Sequence, residues 1–508
     1  MSRDRVMESK PQQTAEAHAF RGRDIYMIGI GGSGMNGLAR LLTAAGARCR
    51  GCEAVSSDVT ETLIRDGIGV DEDCASISLP DQCNLVITTA AAPPSHRLLV
   101  EARQRNIMVL RYAEALGQLQ QLHTSIAIAG SHGKSTTAAM LTYVLREAEL
   151  GPGMLIGASC PQLGGGCCIG AATVPHGPFA GQPGFLIAEA CEFNRSFHNH
   201  RPQMALINNL EADHLDIYGS FENVVDAFNH FAKLLPAAED GGRLLIPDHL
   251  ENRDRVLEDV TAEVFTFGNS AAADYVVTVD PAGTSCSLRC GASCDDSNAR
   301  LSWSIRMPGV HNLLNSAAAA ILAQWCGATN SQIVSALQSF NGLDRRTQHA
   351  GDYQSADGSA VPVYDDYGHH PTEIRSALAA IRAAERTTRL VCVFQPHQHS
   401  RTRLLLDDFA TSFSAAEVVI IPHIYFVRDP DEEQSRISAK DLVTAVNVHS
   451  HNAIHIDGFD DVVSHLRSTL RSGDCLVVMG AGPVWKITRK LLAQSHQATH
   501  ITKDAHLC

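Results

Sequence analysis

The sequence predicts an α/β protein of three domains, built throughout from alternating strands and helices. Three observations predict it. A chain of 508 residues with 44% hydrophobic content can bury several cores, and at ordinary domain size it divides into about three. Short apolar runs alternate with stretches of helical spacing along most of the chain, the pattern of strand–helix–strand units. Two glycine-rich loops, at residues 29–35 and 130–136, each follow an apolar run and open a helical stretch, where α/β sheets carry ligands.

Composition narrows the function classes. A net charge of −14 argues against a general nucleic-acid binder, whose affinity comes from neutralised phosphates, yet leaves room for an anionic ligand held by a few local cations. No uncharged apolar run is long enough to span a bilayer, so no membrane insertion is expected. The fifteen cysteines are an odd number without a paired framework, and no charged-then-apolar leader follows Met1. Reduced thiols in a cytoplasmic protein are the expectation. Cys286, Cys290 and Cys294 recur every four residues, but the region reads as strand and turn and lacks the C-x-x-C spacing of zinc sites.

Residues 1–23 are polar and unpatterned and are expected to be disordered. The first domain then covers 24–120. Residues 25–30 form an apolar strand, the glycine loop follows, and 36–45 continue as a helix. Gly29, Gly31 and Gly34 satisfy G-x-G-x-x-G, and Glu53 lies about 20 residues further on, where a ribose-binding acid belongs in a dinucleotide fold. NAD would use these groups, as would any diphosphate joined to a ribose. A strand at 85–89 and a helix at 95–105 complete a small Rossmann-like unit.

The central domain, 121–346, opens on the second loop. Residues 126–129 are a short apolar strand, Gly130 and Gly133 interrupt it, and Ala, Met and Leu recur at helical spacing from Lys134. Backbone amides at such a junction close around a phosphate, Lys134 adds a full positive charge, and the hydroxyl of Ser135 or Thr136 can ligate Mg2+. The loop is a shortened variant of G-x-x-x-x-G-K-[ST], because Ile128 stands where its first glycine would be. A strand at 185–188 delivers Glu189 at its carboxyl end, and a strand at 204–207 runs into Asn208, Asn209, Glu211, Asp213 and His214. A carboxylate from one strand and an imidazole from the next could hold one or two Mg2+ against transferring phosphates. Near the start of a small-residue helix, His311, Asn312 and Asn315 share a face suited to a base or ribose edge, and Arg345 and Arg346 precede the next boundary, within phosphate reach across a cleft.

The last domain, 347–493, alternates again: strands at 361–364, 390–394, 418–422 and 475–479, helices near 373–386 and 402–415. Asp365 to Glu373 reads D-D-Y-G-H-H-P-T-E and Phe394 to Arg403 reads F-Q-P-H-Q-H-S-R-T-R, both at strand ends. His369 and His370 with Arg401 and Arg403 would hold a small carboxylate there. Residues 494–508 are expected to be a flexible tail.

Taken in order, G-I-G-G-S-G-M, G-S-H-G-K-S-T, N-L-E-A-D-H-L-D-I-Y, G-V-H-N-L-L-N, D-D-Y-G-H-H-P-T-E, Q-P-H-Q-H-S-R-T-R and M-G-A-G-P-V-W resemble the motifs of the Mur ligase family over residues 24–490. The resemblance implies Rossmann-like N- and C-terminal domains flanking a central P-loop-type ATPase domain. It implies ATP-dependent amide formation with Mg2+: phosphorylation of the lactyl carboxylate of UDP-N-acetylmuramate, then attack by the amine of L-alanine on the acyl phosphate. The D-D-Y-G-H-H-P-T-E and Q-P-H-x-x-S-R-T-R motifs favour the alanine-adding branch.

Carried over residue by residue, the resemblance assigns Gly29, Gly31, Gly32, Gly34, Met35, Glu53, Thr88 and Thr89 to the UDP-sugar. ATP falls to Gly130, Ser131, His132, Gly133, Lys134, Ser135, Thr136, His311, Asn312, Asn315 and Arg346. Metal ligation goes to Ser135, Glu189 and His214, with Lys134, Glu189 and His214 the catalytic set. The amino acid falls to Tyr367, His369 and Arg401. The partners implied are these small molecules, with the chain a monomer or homodimer.

Three departures from the family pattern stand out. The loop has Ser131 and Ser135 where G-T-H-G-K-T-T is usual, which keeps both hydroxyls. Ala190 to Asn194 reads A-C-E-F-N where alanine ligases often carry A-D-E-S-D. Gln398 replaces the arginine of P-H-R-Y, leaving the amino-acid carboxylate to Arg401 alone and selectivity over serine or glycine open. A recycling ligase that adds a preformed peptide is the alternative within the family; an NAD-dependent oxidoreductase and a non-catalytic UDP-sugar sensor are alternatives outside it.

Overall fold

The computed structural model describes residues 19–501 apart from 73, 75, 292–299, 386 and 428, and gives 494–501 as helical backbone alone. Its strands form three sheets. The first comprises β1 (Asp24–Ile28), β2 (Arg48–Cys52), β3 (Gly69–Asp71), β4 (Leu85–Thr88) and β5 (Met108–Arg111), all parallel in the order β3-β2-β1-β4-β5. Strand order reverses at β1, so the loop leaving its carboxyl end opens into the crevice between β2 and β4.

The second sheet has ten strands: β6 (Thr124–Ala129), β7 (Gly153–Cys160), β8 (Gly165–Cys168), β9 (Phe185–Glu189), β10 (Met204–Ile207), β11 (Arg243–Pro247), β12 (Glu263–Gly268), β13 (Tyr275–Val279), β14 (Ser285–Cys290) and β15 (Arg300–Ser304). Parallel β6 lies between β9 and β10, with Ile128 opposite Glu189 and Ala129 opposite Ile207. That register brings three chain-distant loop starts, at 130, 190 and 208, to one sheet edge. β6 is buried along its whole length, because helices cover both faces of a parallel sheet. On one face the helix Lys134–Glu147 packs against Val310–Cys326, whose Ala317 to Ala320 are fully buried and let the two backbones approach closely.

The third sheet runs β16-β17-β21-β18-β19-β20, where β16 is Gln348–Gln354, β17 Ala360–Asp366, β18 Arg389–Phe394, β19 Val418–Ile421, β20 Ala453–His455 and β21 Asp474–Met479. Only β16 is antiparallel to its neighbour. Asp366 and Phe394 both lie opposite Met479, so the histidine-bearing loops after β17 and β18 emerge side by side.

Several expectations change. The helix expected at 402–415 is two short helices, His399–Leu404 and Leu406–Ala410, separated at Leu405, whose ψ of 23° breaks the turn. Disorder was expected up to residue 23, but Phe20 is buried and the Gly22 amide donates to the Gly46 carbonyl; residues 1–18 lie outside the described residues. The final helix runs from Trp485 to Ile501, and 502–508 lie outside the description. Cys286 and Cys290 occupy a strand, while Cys294 falls outside the described residues. Every described cysteine is a free thiol. Among the described residues no helix is long and apolar enough to cross a membrane.

Candidate active site

The phosphate-type loop is held in shape by side chains remote in sequence. Gly130 and Gly133 have φ of 137° and 78°, values open to glycine at little cost. The His132 amide donates to Asn209 Oδ1 at 2.7 Å, and the side-chain amides of Asn208 and Asn209 donate back to the His132 carbonyl at 3.1 and 3.0 Å. Asn208 also donates to Asn315 Oδ1 at 2.8 Å, and the Glu211 amide donates to Ser131 Oγ at 2.9 Å. Asn208 and Asn209, read from sequence as part of a polar cluster, therefore brace the loop. Asn315 does the same from the helix Val310–Cys326, and the Asn312 amide donates to the Pro308 carbonyl.

Lys134 is buried and folded back. Its Nζ donates to the carbonyls of Gly130 (2.6 Å) and Ser131 (3.0 Å) and pairs with Glu192 Oε2 at 2.8 Å. Burial opposes the ammonium, but the Glu192 carboxylate outweighs it and holds the Lys134 pKa above its ordinary value. Glu192 was not singled out from the sequence. Its signal was its place three residues past Glu189 on a loop that leaves the strand beside β6. Ser135 Oγ donates to Glu189 Oε2 at 2.7 Å, and the Gly157 amide donates to the same oxygen at 2.8 Å.

His214 sits in the left-handed region, φ 53°, with its ring 3.8 Å from Glu192 and 3.6 Å from Asp213. Burial lowers its pKa to about 3, with Asp213 opposing, so the imidazole is neutral and able to ligate. Glu192, Asp213 and His214 present ligand atoms within 4.8 Å of one another. Arg401 is engaged as well: its Nε and Nη2 donate to Asp213 Oδ1 at 3.2 and 3.0 Å, and it is 7% exposed. Burial works against the Asp213 carboxylate, but Arg401 prevails and keeps it well below its ordinary pKa. The charge of Arg401 is thus shared with the buried Asp213 on the loop after β10. Arg403 pairs with Glu433 instead, at 3.0 Å.

On the third sheet's edge the rings of Tyr367 and His369 lie 5.5 Å apart, and His397, which sequence reasoning passed over, is 6.0 Å from His369. Arg345 and Arg346 stack on Tyr367 at 5.2 and 4.9 Å. In the first domain, Gly29 has φ 75°, the Gly31 amide donates to Glu53 Oε2 at 2.8 Å, and Gly32, Thr88 and Thr89 surround the same loop. Met35 lies in the apolar core behind it, 3% exposed.

These groups meet in two cavities. The larger, of about 580 Å³, is lined by Ser33 and Gly34 from the first sheet's loop, Lys134, Ser135, Glu189 and His214 from the second, and Tyr367, His369 and Arg401 from the third. The smaller, of about 160 Å³, is lined by His132, Gly133, Thr136, His311, Asn312, Asn315 and Arg346. The site as a whole joins a glycine loop with its buried lysine, a set of carboxylate and hydroxyl oxygens and an edge of Tyr367, His369 and Arg401 around a space that every domain helps to line.

Three family models match consecutive segments: the Mur ligase family catalytic domain over 24–124, the Mur ligase middle domain over 128–323, and the Mur ligase glutamate ligase domain over 345–482. The UDP-N-acetylmuramate--L-alanine ligase of Clostridium novyi is 34% identical over 474 residues, covering 92% of this chain and 97% of that one. That of Lachnospira eligens is 33% identical over 470 residues, with the same shares. Among solved structures, the UDP-N-acetylmuramate-alanine ligase of Thermotoga maritima superposes with a TM-score of 0.71 at 21% identity, over 94% of this chain and 99% of that one. The murein peptide ligase of Psychrobacter arcticus gives 0.67 at 22%, over 93% and 98%. At those identities the two structures attest the fold. With consecutive models spanning most of its length and relatives a third identical along it, the chain belongs to the Mur ligase family.

Proposed function

We infer that this protein is an ATP-dependent ligase that joins L-alanine to the lactyl carboxylate of UDP-N-acetylmuramate, yielding UDP-N-acetylmuramoyl-L-alanine, ADP and phosphate, a step of peptidoglycan precursor synthesis. The observation that carries the reading is the larger cavity, where the UDP-type loop, the Lys134 loop and the Tyr367–His369 edge face one space. Relatives named for this activity align over nearly the whole chain.

In this reading the amides of the Gly31 loop and Glu53 take the diphosphate and ribose, and the smaller cavity takes the nucleoside of ATP. Lys134 swings from Glu192 and the loop carbonyls to the β- and γ-phosphates. The hydroxyl of Ser135 and the carboxylate of Glu189 are hard oxygen donors 2.7 Å apart, a fitting pair for Mg2+, and neutral His214 suits a second ion. Bound there, Mg2+ supplies charge neutralisation at the transferring phosphate. The γ-phosphoryl group passes to the lactyl carboxylate, the alanine amine attacks the acyl carbon, and phosphate leaves from the tetrahedral intermediate. Tyr367, His369 and His397 flank the amine's approach, while Arg401, tied to Asp213, supports the carboxylate side. The protein acts in the cytoplasm as a monomer or homodimer.

One second reading stands within the family, addition of a preformed peptide to the same sugar nucleotide, since Gln398 in place of the arginine of P-H-R-Y leaves selectivity for the amine open. Phosphate release from ATP and Mg2+ with UDP-N-acetylmuramate separates the two. Release that requires L-alanine supports the main reading; release with a tripeptide but not with L-alanine replaces it.

A further inference from the structure

A second group of ligand-type side chains stands apart from the Ser135–Glu189 pair. His132 comes from the phosphate loop, Glu211 from the turn after β10 and His370 from the turn after β17, and their ligand atoms lie within 4.8 Å of one another. We propose that His132, Glu211 and His370 bind a transition-metal dication of the zinc class, which pins the central domain to the C-terminal one. The inference does not depend on which amine the enzyme uses.

The three side chains are oriented by their neighbours. His132 Nδ1 faces Glu373 Oε1 at 3.1 Å, an arrangement in which a carboxylate takes the N–H of one ring nitrogen and turns the other toward a metal. That other atom, Nε2, is buried without a hydrogen-bond partner and lies 3.4 Å from Glu211 Oε2. His370 Nδ1 is 3.7 Å from the same oxygen and accepts the Thr372 amide at 3.4 Å, while Nε2 of this ring, 6% exposed, is buried and unpartnered. Thr372 Oγ1 donates to Glu211 Oε2 at 2.6 Å and fixes the carboxylate's orientation. Tetrahedral bonds of about 2.0–2.1 Å put ligand atoms roughly 3.3 Å apart, so the two distances to Glu211, 3.4 and 3.7 Å, contract slightly and the three ligand atoms draw in from within 4.8 Å.

Two imidazoles and one carboxylate select zinc over magnesium, which demands oxygen donors in octahedral array. Three protein ligands leave a fourth position, and two of the three, His132 and Glu211, line the smaller cavity.

The test is calorimetric titration of the untagged full chain with Zn2+ in saturating Mg2+, and titration with Co2+ followed by visible absorption. One tight zinc equivalent per chain is expected. His370→Ala and Glu211→Gln should each weaken it more than tenfold, Glu373→Gln by about 10–100-fold through the orientation of His132, and Ser135→Ala should leave it in place. Wild-type affinity in folded His370→Ala and Glu211→Gln, or loss of zinc in Ser135→Ala, overturns the proposal. Should the variants fail to fold by circular dichroism, the wild-type Co2+ spectrum decides: an intense tetrahedral band supports the site, and a weak octahedral spectrum overturns it.

Discussion

The two glycine loops share one local plan, strand then tight turn then helix, yet they are held differently. In the first, Gly31 leans on Glu53 from the adjacent strand's end, and Gly34 packs under the Tyr112 ring. All of this lies within the first domain. The second is braced by Asn208 and Asn209 from β10's loop, by Asn315 from a helix much later in the chain, and by Glu192 gripping Lys134. The second loop is thus over-determined from several elements, whereas the first relies on its own turn and one acid.

That comparison can be broken first at its charged end. Lys134→Ala should lower kcat by about 10²–10³ or more, since a charge aimed at developing phosphate charge is lost, and a phosphate-release assay with both substrates reads it. Next come the glycines. At Gly133 a Cβ would lie 2.5 Å from Asn315 Oδ1 and 2.6 Å from Asn208 Nδ2, on a backbone at φ 78°. Gly133→Ala should therefore cost about 1–3 kcal/mol of stability and weaken ATP while sparing the UDP-sugar. At Gly31 a Cβ would lie 2.8 Å from Glu53 Oε2 and 3.2 Å from the buried Thr60 methyl, but on a backbone open to any residue, so Gly31→Ala should cost about 1 kcal/mol and do the reverse to the two ligands. Thermal unfolding with separate titrations of each ligand reads both arms.

Ser135→Ala should raise the Mg2+ concentration for half-maximal rate by at least about tenfold, seen by titrating Mg2+ at fixed ATP. The smallest effect belongs to the first sheet's edge. Arg50 and the Tyr26 hydroxyl hydrogen-bond Asp71 and hold its carboxyl below the ordinary value. A depressed carboxylate stabilises the fold above its unfolded pKa, about 3.9, and loses that contribution as pH falls through its folded value. Asp71→Asn should cost about 0.2–1 kcal/mol near neutrality, with the difference from wild type vanishing in acid denaturation curves.

Much of this was legible because the informative segments are local. Strand β10 was expected at 204–207 and found there, and Pro371 opens its helix because its missing N–H costs nothing at a first turn. Of strands β12–β15 only the strand and turn around Cys286 and Cys290 carried an expectation, since these short strands hold mixed residues whose partners are set by pairing. The Arg401 contact with Asp213 was not foreseen for a related reason: the two lie 188 positions apart, and no spacing rule joins them. Glu192 and His397 were missed likewise, each being defined by what another loop brings beside it.

By itself, the sequence determined the α/β class, the two glycine turns and the order of the chemistry-bearing motifs, because backbone preference, hydrophobic period and turn chemistry act over a few residues. The tertiary structure alone decided which of those motifs touch. Parallel pairing of β6 with β9 and β10 puts Lys134 against Glu192, and packing of the third sheet onto the second puts Arg401 on Asp213 and Glu373 on His132. Those contacts are buried charges, and a buried charge is stable only where another part of the fold supplies its counterpart.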